Sequence, residues 1–237
     1  MDQYSRTRLL LGDDAMEKLR SARVAVFGLG GVGGYVVEAL ARCGVGALDL
    51  VDHDTVSLTN LNRQIFATHS TMGMSKAQAA ADRVKEIDPK INVTVHETFY
   101  LPDTADTFDF TRYDYIVDAI DTGTGKLMLA RQAQDCSTPI ISSMGTGNKL
   151  DPTAFRVADI SETKGCHLAR IMRKECRKRG IKKLKVVYSE EEPQEAKSSQ
   201  TTEELPEGRR SLPGSVAFVP SVAGLIIAGE VVKDLIK

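Results

Sequence analysis

The 237 residues are 42% hydrophobic and 27% charged, the mix of an ordinary globular chain long enough to bury a full core without disulfide or metal staples. The net charge of −1 hides a segregation. Residues 164 to 185 carry ten Lys/Arg (164, 170, 173, 174, 177, 178, 179, 182, 183, 185) against Glu175 alone, and residues 190 to 207 carry seven acids (190, 191, 192, 195, 203, 204, 207) against Lys197 alone. The first residues lack the apolar run of a secretory leader. The most apolar stretch, Val216 to Ile236, is broken by Pro220, Glu230, Lys233 and Asp234, so a membrane span is not expected.

Strand and helix patterns alternate along the chain. Residues 23–27 read as a buried strand ending at a glycine run, 32–43 as a helix, and 47–51 as a second strand ending at Asp52. A helix over 75–87 stops before Pro89, 91–95 alternates as a strand, and 115–120 is a further buried strand. A helix near 126–134 and a short strand at 138–142 follow. This rhythm predicts an α/β fold, a Rossmann-like, doubly wound and mainly parallel sheet. After Asp151-Pro152 the rhythm changes to a strand at 155–160, a basic helix at 167–179, a strand at 184–188, a polar loop at 190–210 and an apolar helix at 221–236. The reading is one domain with an inserted basic and acidic excursion.

Gly28-Leu-Gly-Gly-Val-Gly-Gly34 follows a strand and opens a helix, so Gly28, Gly30 and Gly33 satisfy G-x-G-x-x-G, with Gly31 inside the run. Such a turn lets backbone N–H groups approach phosphate at a helix N-terminus. Asp52 stands 19 residues after Gly33, at the end of the next strand, where an acid binds ribose hydroxyls. The glycine motif alone does not choose between NAD and ATP; the residues beyond it favour ATP. Arg63 and Lys76 supply cations that pyrophosphate departure needs and hydride transfer does not. Asp121, just past the strand at 115–120, stands where an open α/β sheet presents ligands, and its carboxylate suits Mg²⁺.

The pattern from Gly28 to Gly34 through Asp52-x-Asp54, Asn60-x-x-Arg63-Gln64, Lys76 and Asp121 resembles the superfamily of ubiquitin-activating enzymes and their bacterial relatives that adenylate sulfur-carrier proteins. The resemblance implies that Asp52 binds the ribose and that Arg63 and Lys76 hold the phosphates beside Asn60. It further implies that Asp121 holds the metal and that Arg6 reaches the ATP site of a partner subunit. Asp54 and His53 read as turn residues within the nucleotide-binding run.

Two common features of that superfamily are missing from the sequence. The four cysteines, at 43, 136, 166 and 176, form no Cys-x-x-Cys pair, so no zinc is expected. Cys166, within the basic segment, is the one candidate for an acyl-accepting thiol, and a small core cysteine is the preferred reading. Asp118-Ala-Ile-Asp121, Gly145 to Pro152, the basic segment and the apolar C-terminus resemble the branch of the superfamily that dehydrates threonylcarbamoyladenosine in tRNA. That resemblance implies ATP-dependent activation of the threonyl carboxylate and ring closure by the neighbouring carbamoyl group, with no enzyme thiol required.

Arg170, Arg173, Lys174, Arg177 and Lys178 are then the candidate tRNA contacts, with Leu168, Ile171 and Met172 at helical spacing to seat their helix. The apolar C-terminus and Arg6 point to a homodimer, and reduced thiols without a leader point to the cytoplasm. A monovalent cation is a further candidate ligand. The alternative readings are adenylation of a ubiquitin-like sulfur-carrier or sulfur-transfer partner, and an NAD(H)-binding redox enzyme or sensor.

Overall fold

The computed structural model describes residues 2–195, 197 and 213–237. Two helices open the chain, α1 (Ser5–Leu11) and α2 (Asp13–Ser21), and neither was expected. In α2, Asp13 and Asp14 sit at the positive end of the helix dipole, and Ala15, Met16 and Leu19 form its buried face. Alternation then runs through β1 (Arg23–Phe27), α3 (Gly33–Cys43), β2 (Ala47–Val51), α4 (Lys76–Ile87), β3 (Asn92–His96), the single turn α5 (Pro102–Ala105), β4 (Tyr115–Asp118), α6 (Gly123–Cys136) and β5 (Ile140–Ser143). The remaining elements are β6 (Phe155–Asp159), α7 (His167–Lys178), β7 (Lys185–Ser189) and α8 (Phe218–Leu235).

The seven strands form one sheet in the order β3-β2-β1-β4-β5-β7-β6. Every neighbouring pair is parallel except β6 and β7. Side chains alternate between the two faces, as a pleated strand requires. Val24, Val26, Leu48, Leu50, Tyr115 and Val117 share a core with α3, α4 and α8. Ala25, Phe27 and Ile116 face the other way, into Tyr100, Phe108, Phe110 and the Leu129 and Ala133 side of α6. Each fully buried Val, Leu or Phe contributes about 1.5–3 kcal/mol, so these two cores fix the sheet against its helices.

The order reverses at β1, whose neighbours β2 and β4 are entered by crossovers that run to opposite sides. The crevice that opens at such a point, beyond the carboxyl ends of the strands, is where this class of sheet holds ligands.

Two expectations need correction. The basic helix expected at 167–179 is α7, which seats on the body through Ala169, Met172 and Cys176, but Ile171, expected to help seat it, is 44% exposed. The last helix starts at Phe218, three residues early, because Pro220 lies in the first turn, where a missing N–H costs nothing. Most of the expected loop at 190–210 falls outside the described residues. Among the described residues no helix is long and apolar enough to cross a membrane.

Candidate active site

The glycine turn fixes the floor of the crevice. Gly28 has φ of 86°, and a Cβ there would lie 2.7 Å from the Ala119 carbonyl oxygen. A Cβ on Gly33 would fall 1.8 Å from the Gly28 carbonyl oxygen. Only glycine lets the turn fold this tightly between β1 and β4. α3 begins at Gly33; its Gly34 N–H donates to Gly30 O and its Tyr35 and Val36 N–H groups to Val32 O, so an anion would meet the glycine turn that precedes them. Gly30, Gly31, Asp52, Asp54, Asn60, Arg63, Gln64, Lys76 and Asp121 all line one cleft of about 1600 Å³, as does Gly28. Gly33 lies behind it as a packing residue. Arg6 is exposed on α1 and is not among the residues that line the cleft.

Asp52 holds the turn from the side. Its Oδ2 accepts from Leu29 N at 2.7 Å and its Oδ1 from Asp54 N at 2.9 Å. The carboxylate is therefore held in one orientation. Lys76 is the first residue of α4 and is buried; its Nζ lies 2.7 Å from Asp54 Oδ2, whose other oxygen stands 3.1 Å from His53 Nε2. Asp54 is thus more than a turn residue: it aims the Lys76 ammonium. Arg63 Nη1 donates to Thr59 O and Asn62 Oδ1, both at 2.8 Å. Asn60 Oδ1 accepts from Ser57 N at 3.2 Å and closes the short helical turn Leu58–Asn60, and Asn60 O accepts from Arg63 N at 3.1 Å.

The carboxylates allow a metal. Asp52, His53 and Asp54 bring ligand atoms within 4.8 Å of one another, but each Asp52 oxygen already accepts a backbone N–H and Asp54 faces the Lys76 ammonium. Asp121, exposed in the cleft at the end of β4, offers the hard oxygen that Mg²⁺ prefers.

Sequence reasoning missed a buried group beneath the cleft. Lys126 is 1% exposed, lines the floor and places Nζ 3.0 Å from Asp118 Oδ1. Asp118 is fully buried, accepts from Ser142 Oγ at 2.5 Å, and accepts from Ile120 N at 3.3 Å. The carboxylate so clamps the turn Ala119–Ile120–Asp121. The available signal was an aspartate inside an otherwise apolar strand with a lysine eight residues on. Thr98, Phe99 and Tyr100 after β3, and Pro213, Gly214 and Ser215 before α8, also line the cleft.

The cations of α7 form a separate recess of about 550 Å³ lined by Arg170, Arg173, Lys174, Arg177 and Lys178 with Ile171. They are not equivalent. Arg173 Nη1 donates to Thr163 O at 2.6 Å and Thr163 Oγ1 at 2.7 Å, and Lys178 pairs with Glu175 at 3.0 Å, while Lys174 and Arg177 are exposed. Cys166 caps α7 from within the same core cluster as Met172 and is buried, as a packing cysteine would be.

Known proteins share the sequence pattern and the fold. The profile of the ThiF family matches residues 4–237. The chain is 42% identical over 243 aligned positions to the tRNA threonylcarbamoyladenosine dehydratase of Bacillus subtilis (strain 168), covering all of this chain and 96% of that one. Among solved structures, the E. coli tRNA N6-threonylcarbamoyladenosine dehydratase TcdA in complex with AMP superposes with a TM-score of 0.88 at 30% identity, over 98% of this chain and 93% of that one. The same E. coli protein in complex with ATP gives 0.87 at 30% identity with the same coverage. A match across the whole chain at these identities places it: the chain belongs to the ThiF family and, within it, to the tRNA threonylcarbamoyladenosine dehydratases.

Proposed function

We propose that this chain uses ATP to activate the threonyl carboxylate of threonylcarbamoyladenosine in tRNA and closes it into a ring. The observation that carries the reading is the single cleft at the switch point, in which a glycine turn, an oriented Asp52 and the cations Arg63 and Lys76 converge. The carboxylate oxygen attacks the α-phosphorus of ATP and pyrophosphate leaves, giving an acyl-adenylate. The carbamoyl group of the same nucleoside then attacks the acyl carbon, the bond to AMP breaks, and a proton is released. In sum the substrate loses water and one ATP becomes AMP and pyrophosphate.

In this reading the Gly28–Gly33 turn cradles phosphate, Asp52 accepts from the ribose, and Lys76 and Arg63 stabilise charge on the departing pyrophosphate. Mg²⁺, held by Asp121, would neutralise phosphate oxygens when bound. The reading requires no monovalent cation. The whole chain acts as one adenylating unit, with α7 docking the tRNA backbone through charge rather than base sequence.

The unit works as a homodimer in which Arg6 serves the partner's cleft. Supporting this, Leu9 and Leu10 beside it are 88% and 84% exposed, and Phe218 and Leu225 on α8 are each 50% exposed. The test of the reaction is nucleoside analysis of tRNA incubated with protein, ATP and Mg²⁺. Conversion of threonylcarbamoyladenosine to a product 18 mass units lighter, about one water, supports it. AMP formation only with a ubiquitin-like protein would transfer the site to a sulfur-carrier substrate.

A further inference from the structure

Asn148 is held in the left-handed region, with φ of 58°, and among the described residues only Ser137 is another non-glycine with positive φ. Ser137 merely ends α6. Asn148 makes three hydrogen bonds to distant chain. Its N–H donates to Gly214 O at 2.7 Å, its Oδ1 accepts from Gly214 N at 2.6 Å, and its carbonyl accepts from Gln194 N at 2.6 Å. Gln194 lies on the limb that leaves β7 and Gly214 on the limb that returns to α8. One side chain and its own backbone thus clasp both limbs to the turn after β5.

The neighbourhood reinforces the clasp. The Glu191 carboxylate accepts from Leu150 N and Asp151 N, both at 2.9 Å. A Cβ on Gly147 would meet Pro213 Cβ at 2.7 Å, so the turn and the returning limb are in direct packing contact. Asn62 Nδ2 donates to Ser215 O at 3.0 Å, tying that limb to the loop that bears Arg63. Gly145, Thr146 and Gly147 on one side, and Pro213, Gly214 and Ser215 on the other, line the cleft.

Position says which part of the reaction this wall serves. Asp52 puts the ribose over the end of β2, and the glycine turn puts the phosphates over β1. The acyl group bonded to phosphorus therefore lies toward β4 and β5, under the clasped wall. We propose that Asn148 is a positioning residue that keeps water from the acyl-adenylate, so that the intramolecular nucleophile reaches the acyl carbon first. The inference rests on the adenylation reading above. Without the clasp, water attacks the acyl carbon, the bond to AMP breaks, and the carboxylate is regenerated with one ATP converted to AMP and pyrophosphate but no ring.

The test counts AMP released per ring closed, using the full chain, threonylcarbamoylated tRNA, ATP and Mg²⁺. Asn148→Gly keeps the backbone conformation and removes the side-chain bond; it is expected to raise the ratio about threefold to tenfold, the weight of one hydrogen bond. Asn148→Asp keeps the Oδ1 acceptor and should stay within about twofold of wild type. The KM for ATP should hold in both variants. An unchanged ratio in Asn148→Gly overturns the inference, as does a parallel fall of AMP and ring together, which marks a merely structural role. Wild-type protein that forms rings without AMP would instead overturn the adenylation reading, and the inference with it.

Discussion

Replacing Lys126 by Met isolates the cost of the charge buried beneath the cleft. The methionine keeps an unbranched stem as far as Cε and removes the ammonium 3.0 Å from Asp118. Asp118 is fully buried and would keep only the Ser142 hydroxyl and the Ile120 N–H as donors. Breaking a buried pair by removing one partner costs about 3–5 kcal/mol, because the remaining charge has no water to turn to. At about 2–4 °C per kcal/mol for a chain of this size, the thermal midpoint should fall by about 10 °C. Asp118→Asn with Lys126→Met removes both charges and should recover most of the loss, since neutral replacements of a buried pair are often nearly neutral in stability. Calorimetry on wild type, both single variants and the double variant gives the coupling directly. A Lys126→Met midpoint within 2 °C of wild type (roughly 1 kcal/mol) would mean that water already relieves the charge, and the dry pair would be wrong. A double variant as unstable as the single would assign the loss to packing.

Arg63→Ala and Lys76→Ala should each lower turnover by roughly 10²–10³-fold, about 3–4 kcal/mol, as expected for a preorganised charge partner; steady-state rates within threefold of wild type would remove either from the mechanism. Lys174→Gln with Arg177→Gln should flatten the log–log salt dependence of tRNA binding by about 0.7–0.9 for each phosphate no longer neutralised, with ATP affinity unchanged; a wild-type slope would make α7 a solvated face. Arg173 stays in place there because its guanidinium already holds Thr163. Mixing inactive Arg6→Ala and Asp52→Ala subunits should restore up to about a quarter of activity if each cleft draws on both chains; no recovery in a mixture shown to exchange subunits would place Arg6 outside the site. Burial opposes ionisation of Asp234, yet hydrogen bonds from Lys185, Lys237 and Tyr115 outweigh it and hold the carboxyl at about 2, below its ordinary 3.8. The folded-state value is depressed, so the stabilisation, about 2 kcal/mol, is present above pH 4 and lost as pH falls through 2. Asp234→Asn should accordingly flatten the acid limb of a urea-unfolding series, and an unchanged limb would refute the assignment.

The nucleotide half of the molecule was legible because its signals are local. The strands at 23–27 and 47–51 are bounded as expected, since apolar runs ending at Gly28 and Asp52 leave little freedom. Gly123 and Gly125 hid the first turn of α6, because glycine is a poor helix former and reads as loop. α1 was hidden for a different reason: it has no buried face, and its anchor is Tyr4, whose hydroxyl reaches Ala41 O at 3.1 Å and Asp88 Oδ2 at 2.8 Å. Nothing at position 4 announces a partner at 88. The same holds for the site. Gly28, Asp52, Arg63 and Lys76 belong to short motifs and could be read, whereas the Asp118–Lys126–Ser142 group and the Asn148 clasp exist only once β4, β5 and the limb before α8 are side by side. Likewise, β7 lying between β5 and an antiparallel β6 is a choice of tertiary pairing, and strand patterns at 155–160 and 184–188 do not encode it.

Pro220, near the start of α8, packs against the glycine turn: a Cβ on Gly31 would lie 3.2 Å from its ring. The wall of the cleft is therefore closed by a residue almost two hundred positions downstream of the turn it covers. During synthesis at about 5–20 residues per second, the glycine turn leaves the ribosome well before its cover does. A nascent chain with β1 to β5 already paired still lacks Pro220, Ser215 and the docking of α8 on α3. Until α8 docks on α3, the glycine turn lacks the side of the cleft that Pro220 supplies.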